Sequence, residues 1–233
     1  MRRVLPEPSC DATVESAYSA VLGEPPADRP WVLLCMVSSL DGSTVVDGAS
    51  GALSSPNDSA VLLGLRRLAD VVLVGAGTAA GEGYGPPATP GQRIAVVTRS
   101  GHVDVDSELF RSGAGLIVTT ETTETTELAA AEAAGVDIVR AGREEVDLDV
   151  ALRELRRRFG ATVVQAEGGP ALNGALAAAD LIDELDLTTS PGIVGGRGPR
   201  LTRDGADVTS AFELVQLVVD DDQFLFQRWR RRR

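Results

Sequence analysis

VVQAEGGPALNGALAAADLIDELDL, residues 163–187, reads as a short buried strand, a Gly168-Gly169 turn, a helix opened by Pro170, and the start of a further strand. Proline suits the first helical position because its missing N–H has no partner there in any case, and the free N–H groups that follow favour an anion. Glycines without a Cβ let backbone amides approach a pyrophosphate closely. Glu167, just before the turn, would repel a phosphate placed beside it. Its carboxylate is better matched to an uncharged, donor-rich group such as a pyrimidine or a ribose.

Outward from this junction the same grammar repeats. WVLLCMVSSL (31–40), VVLVGAG (71–77), RIAVVTRS (93–100) and AGLIVTT (114–120) are β-branched runs bounded by glycine or polar residues, the signature of buried parallel strands. DGSTVVDG (41–48) reads as a turn and a short strand, and VESAYSAVLG (14–23) as a helix. Ser55-Pro56 caps an amphipathic helix that ends near Arg66 and Arg67; ETTETTELAAAEAAG leads into a second helix, and DVALRELRRRFG is a third, closed by glycine. FELVQLVVD and QFLFQRW are two adjacent C-terminal strands. The expectation is an α/β fold with a mostly parallel central sheet, an antiparallel C-terminal edge and helices on both faces. Residues 1–30 read as a Pro-rich, irregular arm and 31–233 as one domain.

Composition narrows the chemistry. With 233 residues, 43% of them hydrophobic, the chain can bury a sizeable core, and a net charge of −12 disfavours general nucleic-acid or anionic-membrane binding. All 22 basic residues are arginines, which excludes a lysine Schiff base and a complete P-loop. Cys10 and Cys35 cannot form a disulfide framework, Cys35 sits in an apolar run, and a lone His102 is a poor basis for a zinc site or a catalytic triad. No metal is expected. The chain shows neither a signal peptide nor a bilayer-length apolar run, so the cytoplasm is the expected compartment. The tail RWRRRR reads as a solvated terminus or a contact between subunits.

A second glycine turn, VGAGTAAGEGYGPP (74–87), spaces Gly75, Gly77 and Gly81 as G-x-G-x-x-x-G, a poor Rossmann fingerprint but a good place for backbone to approach a ligand, with Thr78 supplying a hydroxyl. Taken in order, SLDG (39–42), VGAGT (74–78) and EGGPALNGALAAADLIDELDLTTSPGIVGG (167–196) resemble the C-terminal reductase domain of the bifunctional riboflavin-biosynthesis deaminase/reductase, from about residue 30 onward. The resemblance implies a dihydrofolate-reductase-like fold, NADPH as cofactor and a homodimer. It places cofactor contacts at Gly75 and Thr78, at Thr98, Arg99 and Ser100 near the 2′-phosphate, and along Gly168, Gly169, Pro170, Ala171, Leu172 and Asn173. It implies Asp41 as the catalytic acidic residue near the nicotinamide. Glu167 would face the pyrimidine, Arg66 the ribose phosphate, and Ser50 and Ser54 would lie in the loop over the substrate.

The implied reaction is reduction of 5-amino-6-(5-phosphoribosylamino)uracil to its ribitylamino product. The zinc motif of the deaminase half is missing, so no deamination is expected. Ala52 stands where the family carries tryptophan, and no second phosphate-binding arginine follows GYGPP. These departures keep open a reductase of dihydrofolate or another pterin or pyrimidine, and a non-catalytic nucleotide-binding protein.

Overall fold

In the computed structural model, which describes residues 1–205 and 209–233, the β-branched runs become strands of one eleven-stranded sheet. In chain order these are β1 (Arg2–Leu5), β2 (Cys10–Asp11), β3 (Trp31–Ser38), β4 (Val71–Gly75), β5 (Arg93–Val97), β6 (Gly115–Thr119), β7 (Asp137–Arg140), β8 (Val163–Ala166), β9 (Glu184–Thr189), β10 (Phe212–Val219) and β11 (Leu225–Arg231). The helices are α1 (Val14–Ala17), α2 (Pro56–Arg66), α3 (Ala76–Gly81), α4 (Glu108–Arg111), α5 (Thr125–Ala133), α6 (Leu148–Phe159) and α7 (Pro170–Ala178).

Across the sheet the order is β2-β1-β10-β11-β9-β3-β8-β4-β5-β6-β7. From β9 to β7 all neighbours are parallel; from β9 through β11, β10, β1 and β2 they are antiparallel. The chain walks outward from β4 to β7, then returns through α6 to insert β8 between β3 and β4. From there α7 carries it across β3 to β9. Connections leaving in opposite directions open a crevice at the carboxyl ends of β3, β4 and β8, where ligands bind in open α/β sheets.

Alternation along each strand divides the core. Val32, Leu34, Val71 and Leu73 face α6 and α7 through Leu152, Leu155, Leu172 and Leu176. Leu33 and Cys35 pack with Val61 and Leu65 of α2, while Val72, Val74, Ile94 and Val96 meet Leu109, Phe110, Leu128 and Ala131 of α4 and α5. Helix ends follow their caps: Ser55 accepts from the Asp58 N–H ahead of Pro56, Asp147 accepts from Val150 N–H, and Gly160 closes α6 at φ +68°.

Four local expectations change. The N-terminal arm is not irregular: β1 pairs antiparallel with β10 and β2 with β1, while the helix expected over 14–23 is a single turn with Val14 and Ala17 buried. Strand β7 and helix α4, each of four residues, are too short to show a period in sequence. The strand expected in 41–48 does not form; its backbone is spent on one bridge, Val46 with Ala49, and on a bond from Thr44 N–H to the Pro199 carbonyl. The basic tail is a solvated end only in part: Arg230, Arg232 and Arg233 are exposed, but Arg228 is buried. Arg228 lies in the core against Glu184 and Asp186, and Arg230, Arg231 and Arg233 pair with Glu213, Asp180 and Asp183. These acidic partners come from β9, its approach and β10, so only the sheet order brings them together.

Candidate active site

Two cavities open at the carboxyl ends of the central strands and share a wall made of Thr78, Gly169 and Pro170. The larger, about 520 Å³, runs along Gly75, Ala76 and Gly77, over Val97, Thr98 and Arg99, to Ala171 and Leu172 at the start of α7. The smaller, about 150 Å³, is lined by Met36, Thr44, Ser50, Ser54, Asp58, Glu82, Tyr84 and Glu167. Both glycine turns meet at this wall. The Gly75 N–H donates to the Gly168 carbonyl at 2.7 Å, and a Cβ on Gly169 would stand 2.6 Å from Thr78 Oγ1.

The larger cavity fits a dinucleotide phosphate. Gly169 caps α7 without a side-chain bond and Pro170 follows, so the N–H groups of Ala171 and Leu172 are the open donors of the first turn. Gly75 likewise caps α3 with no side-chain bond. Arg99 is exposed at the far end beside Thr98, forms no ion pair among the described residues, and suits a 2′-phosphate. Three expected cofactor residues lie outside this lining. Gly168, at φ +86°, is tucked against Met36 and Asn173, and the Ser100 hydroxyl bonds Thr98 and the His102 N–H. Asn173 is fully buried, and its Nδ2 donates to the Leu201 carbonyl at 2.8 Å, fastening the loop after β9 onto α7.

On the other side of the wall Glu167 is gripped from three directions. Arg66 donates Nε to Oε1 at 2.7 Å and Nη2 to Oε2 at 2.6 Å, Tyr84 Oη donates to Oε2 at 2.5 Å, and Gln165 Nε2 donates to Oε1 at 2.9 Å. The Arg66 guanidinium also lies over the Tyr84 ring, 5.2 Å from its centroid. Bonding to Glu167 raises the Arg66 pKa further, and burial pushes the Tyr84 phenol up, so the pair is an arginine-carboxylate fork capped by a neutral phenol. Arg66 was expected to meet a phosphate; the structure gives it Glu167 first. Nη1 alone has no protein partner among the described residues. Ser50 and Ser54 do line the smaller cavity, donating to Glu82 at 2.7 Å and to Asp58 at 2.6 Å.

Asp41 occupies the turn after β3, outside the lining of both cavities. Its Oδ1 accepts from Ser39 Oγ at 2.6 Å and Val194 N–H at 3.1 Å, its Oδ2 from Gly195 N–H at 2.8 Å, and Arg200 bonds its carbonyl. The Ser39 hydroxyl, then the two amides, hold the carboxyl below the usual carboxylate range. A group with a depressed folded pKa contributes stability above its unfolded value, near 3.9, and loses it as pH falls through the folded value. The Tm difference between wild type and Asp41→Asn should therefore be flat from about pH 5 to pH 8 and shrink only below about pH 4. A difference that changes between pH 5 and 8 would remove this assignment.

Sequence reasoning missed Asp58, Glu82 and Tyr84 in the smaller cavity and Glu145 and Arg203 in the larger. Tyr84 had a signal, being a lone aromatic in the glycine- and proline-rich stretch after Thr78; the others read as ordinary helix-start or loop charges. Among the described residues no cluster has the donors for a metal ion, no helix is long and apolar enough to cross a membrane, and exposed His102 pairs with Glu127.

The model of the RibD C-terminal domain matches residues 30–226. The chain belongs to that family. A 2,5-diamino-6-ribosylamino-4(3H)-pyrimidinone 5′-phosphate reductase of Methanothermobacter thermautotrophicus is 26% identical over 196 residues, covering 81% of this chain and 90% of that one. The Aquifex aeolicus protein of the same name is 28% identical, covering 72% and 80%. Among solved structures, a pyrimidine reductase-like protein of Corynebacterium diphtheriae superposes with a TM-score of 0.81 at 24% identity, covering 95% of this chain and all of that one. The riboflavin biosynthesis reductase Rib7 of Saccharomyces cerevisiae superposes with a TM-score of 0.68 at 20% identity, covering 90% and 93%. The RibD-like fold therefore extends over strands as remote in sequence as β3 and β11.

Proposed function

We propose that the chain is an NADPH-dependent reductase of riboflavin biosynthesis that converts a phosphoribosylamino-pyrimidine, 5-amino-6-(5-phosphoribosylamino)uracil, to its ribitylamino product. The observation that carries this is the shared wall of Thr78, Gly169 and Pro170, across which a phosphate-cradling cavity meets a second cavity built around a held carboxylate. NADPH would lie along Gly75–Thr78 and the start of α7, with Thr98 and Arg99 at its 2′-phosphate, and would supply a hydride at the wall. The names of the two relatives favour the 2,5-diamino form of the pyrimidine as the other substrate to measure.

The chain's own residues position and polarise. Tyr84 and Gln165 orient Glu167, and Arg66 neutralises it, so the cavity presents a preorganised fork rather than a bare charge. The remaining Nη1 of Arg66 supplies one charge-assisted bond to the substrate phosphate. Arg66→Ala is expected to raise KM about tenfold, ~1.4 kcal/mol, with a smaller change in kcat. Steady-state kinetics on the pyrimidine check this, and an unchanged KM would take Arg66 out of the phosphate site.

The deciding assay follows NADPH oxidation with the uracil form, the diamino form and dihydrofolate in parallel, with NADH as the second reductant. Turnover of either phosphoribosyl pyrimidine with preference for NADPH supports the proposal. Turnover of dihydrofolate alone replaces the substrate, and NADPH binding without oxidation makes the protein a nucleotide-binding module. The cytoplasmic homodimer implied by the resemblance is tested by sedimentation and cell fractionation.

A further inference from the structure

We propose that Asp58 is the proton donor of this reductase, delivering a proton to the furanose ring oxygen of the ribosylamino substrate. This rests on the reading of the smaller cavity as the substrate site. Reduction at the anomeric carbon requires that carbon to become trigonal. The C1′–O4′ bond breaks, its electron pair passes to O4′, O4′ takes the proton from Asp58, and the amino nitrogen's lone pair forms C=N, leaving an iminium cation beside the new Asp58 carboxylate. NADPH held along Gly75–Thr78 and the start of α7 would supply the hydride that C1′ takes up, and Asp58 regains its proton from solvent. One hydride and one proton are consumed.

Geometry singles out Asp58 among the site's carboxyl groups. Asp41 lies outside the cavity with both oxygens taken by Ser39 and the Val194 and Gly195 amides. Both oxygens of Glu167 are taken, accepting from Arg66, Tyr84 and Gln165. Glu82 is exposed and engaged by Ser50. Asp58 lines the cavity, is only partly exposed, and has no ion-pair partner among the described residues. Its backbone N–H bonds Ser55, as the third residue of a capped helix does, but its side chain turns to the Ser54 hydroxyl, from which Oδ2 accepts at 2.6 Å.

Its surroundings favour the neutral acid. Burial raises the Asp58 pKa against the pull of Ser54 and Thr188. The other groups near it are Cys35 on β3 and Tyr18 after α1, both held neutral by burial, the buried Asp186 on β9, and Glu167 with Arg66. Asp220 is occupied by Asn57 and by the N–H groups of Asp222 and Phe224. The cations among them are Arg66, committed to Glu167, and Arg228, which lies over the Tyr18 ring and is committed to Asp186 and Glu184.

The test is Asp58→Asn, close in shape and without an acid. Its kcat should fall at least 100-fold, with KM and NADPH affinity within about threefold of wild type. Wild-type kcat should fall as pH rises through the Asp58 value, and this limb should vanish in the variant. Thr188→Val removes a hydroxyl that favours the carboxylate and should move the limb to higher pH. Carboxyl NMR of the ligand-free protein should show, besides the buried Asp186, an Asp resonance titrating above its ordinary range that is missing from Asp58→Asn. Because a raised folded pKa lowers stability as pH rises, Asp58→Asn should gain in Tm relative to wild type as pH rises from about 4 to the Asp58 value, and hold that gain above it. A purely structural Asp58 predicts loss at every pH and no titrating limb, and overturns the proposal. An Asp58→Asn enzyme with near wild-type kcat overturns the proton donor alone, whereas a wild type inactive on both ribosylamino pyrimidines overturns the substrate reading with it.

Discussion

Replacing Gly169 with valine is expected to weaken NADPH binding at least 100-fold, about 2.7 kcal/mol, while leaving the fold intact. Gly169 has φ −77° and ψ −167°, extended backbone that valine adopts without strain, so conformation is not the obstacle. Space is. A Cβ there lies 2.6 Å from Thr78 Oγ1, and the two methyls beyond it would fill the wall where both cavities meet. The phosphates would be pushed off the open amides of Ala171 and Leu172, which act only at hydrogen-bond distance. Fluorescence titration of NADPH, beside circular dichroism and Tm, checks this. A variant that binds NADPH normally would show that the cofactor does not approach this turn.

Asp183→Ala should cost about 3–5 kcal/mol of folding stability, because it leaves a buried guanidinium without its counter-charge. Asp183 is 1% exposed and accepts from Arg29 Nη1 at 2.6 Å, Arg29 Nη2 at 2.9 Å, the Val32 N–H at 2.9 Å and Arg233. One carboxylate thus ties the segment entering β3, the approach to β9 and the C-terminus together. For a domain of this size each kcal/mol moves Tm by roughly 2–4 °C, so a drop of about 10–15 °C is expected in a thermal melt. Glu154→Ala, which removes the surface partner of Arg157, should leave Tm nearly unchanged. Equal small effects from both would mean that the Asp183 cluster is not what holds these three segments.

The substrate side shows where sequence reasoning stops. Glu167 was readable as a carboxylate too close to a phosphate turn to serve the phosphate, and it does line the neighbouring cavity. That Arg66 holds it was not readable, because 101 residues separate the two and each alone fits a bland role. Asp58 misleads in the opposite direction: three residues after a Ser-Pro start it reads as a helix-start charge, and only the packing of α2 against β3 places it in the cavity. Asn173, one turn into α7, reads as cofactor-facing until the loop through Leu201 covers it.

What the sequence determined by itself are features set by neighbours a few residues away: the buried parallel strands, the Ser55-Pro56 and Gly160 helix ends, and both glycine turns with the open amides after Pro170. Those depend on side-chain period, capping and backbone freedom, which are local. The tertiary structure decided the rest: β8 lying between β3 and β4, the N-terminal strands on β10, Arg228 of the basic tail sunk into acidic partners, and the carboxyl groups of Asp58 and Glu167 in one cavity. Each of these is a pairing across strands, and its partners are chosen by the order in which buried apolar faces stack, which no short stretch of sequence records.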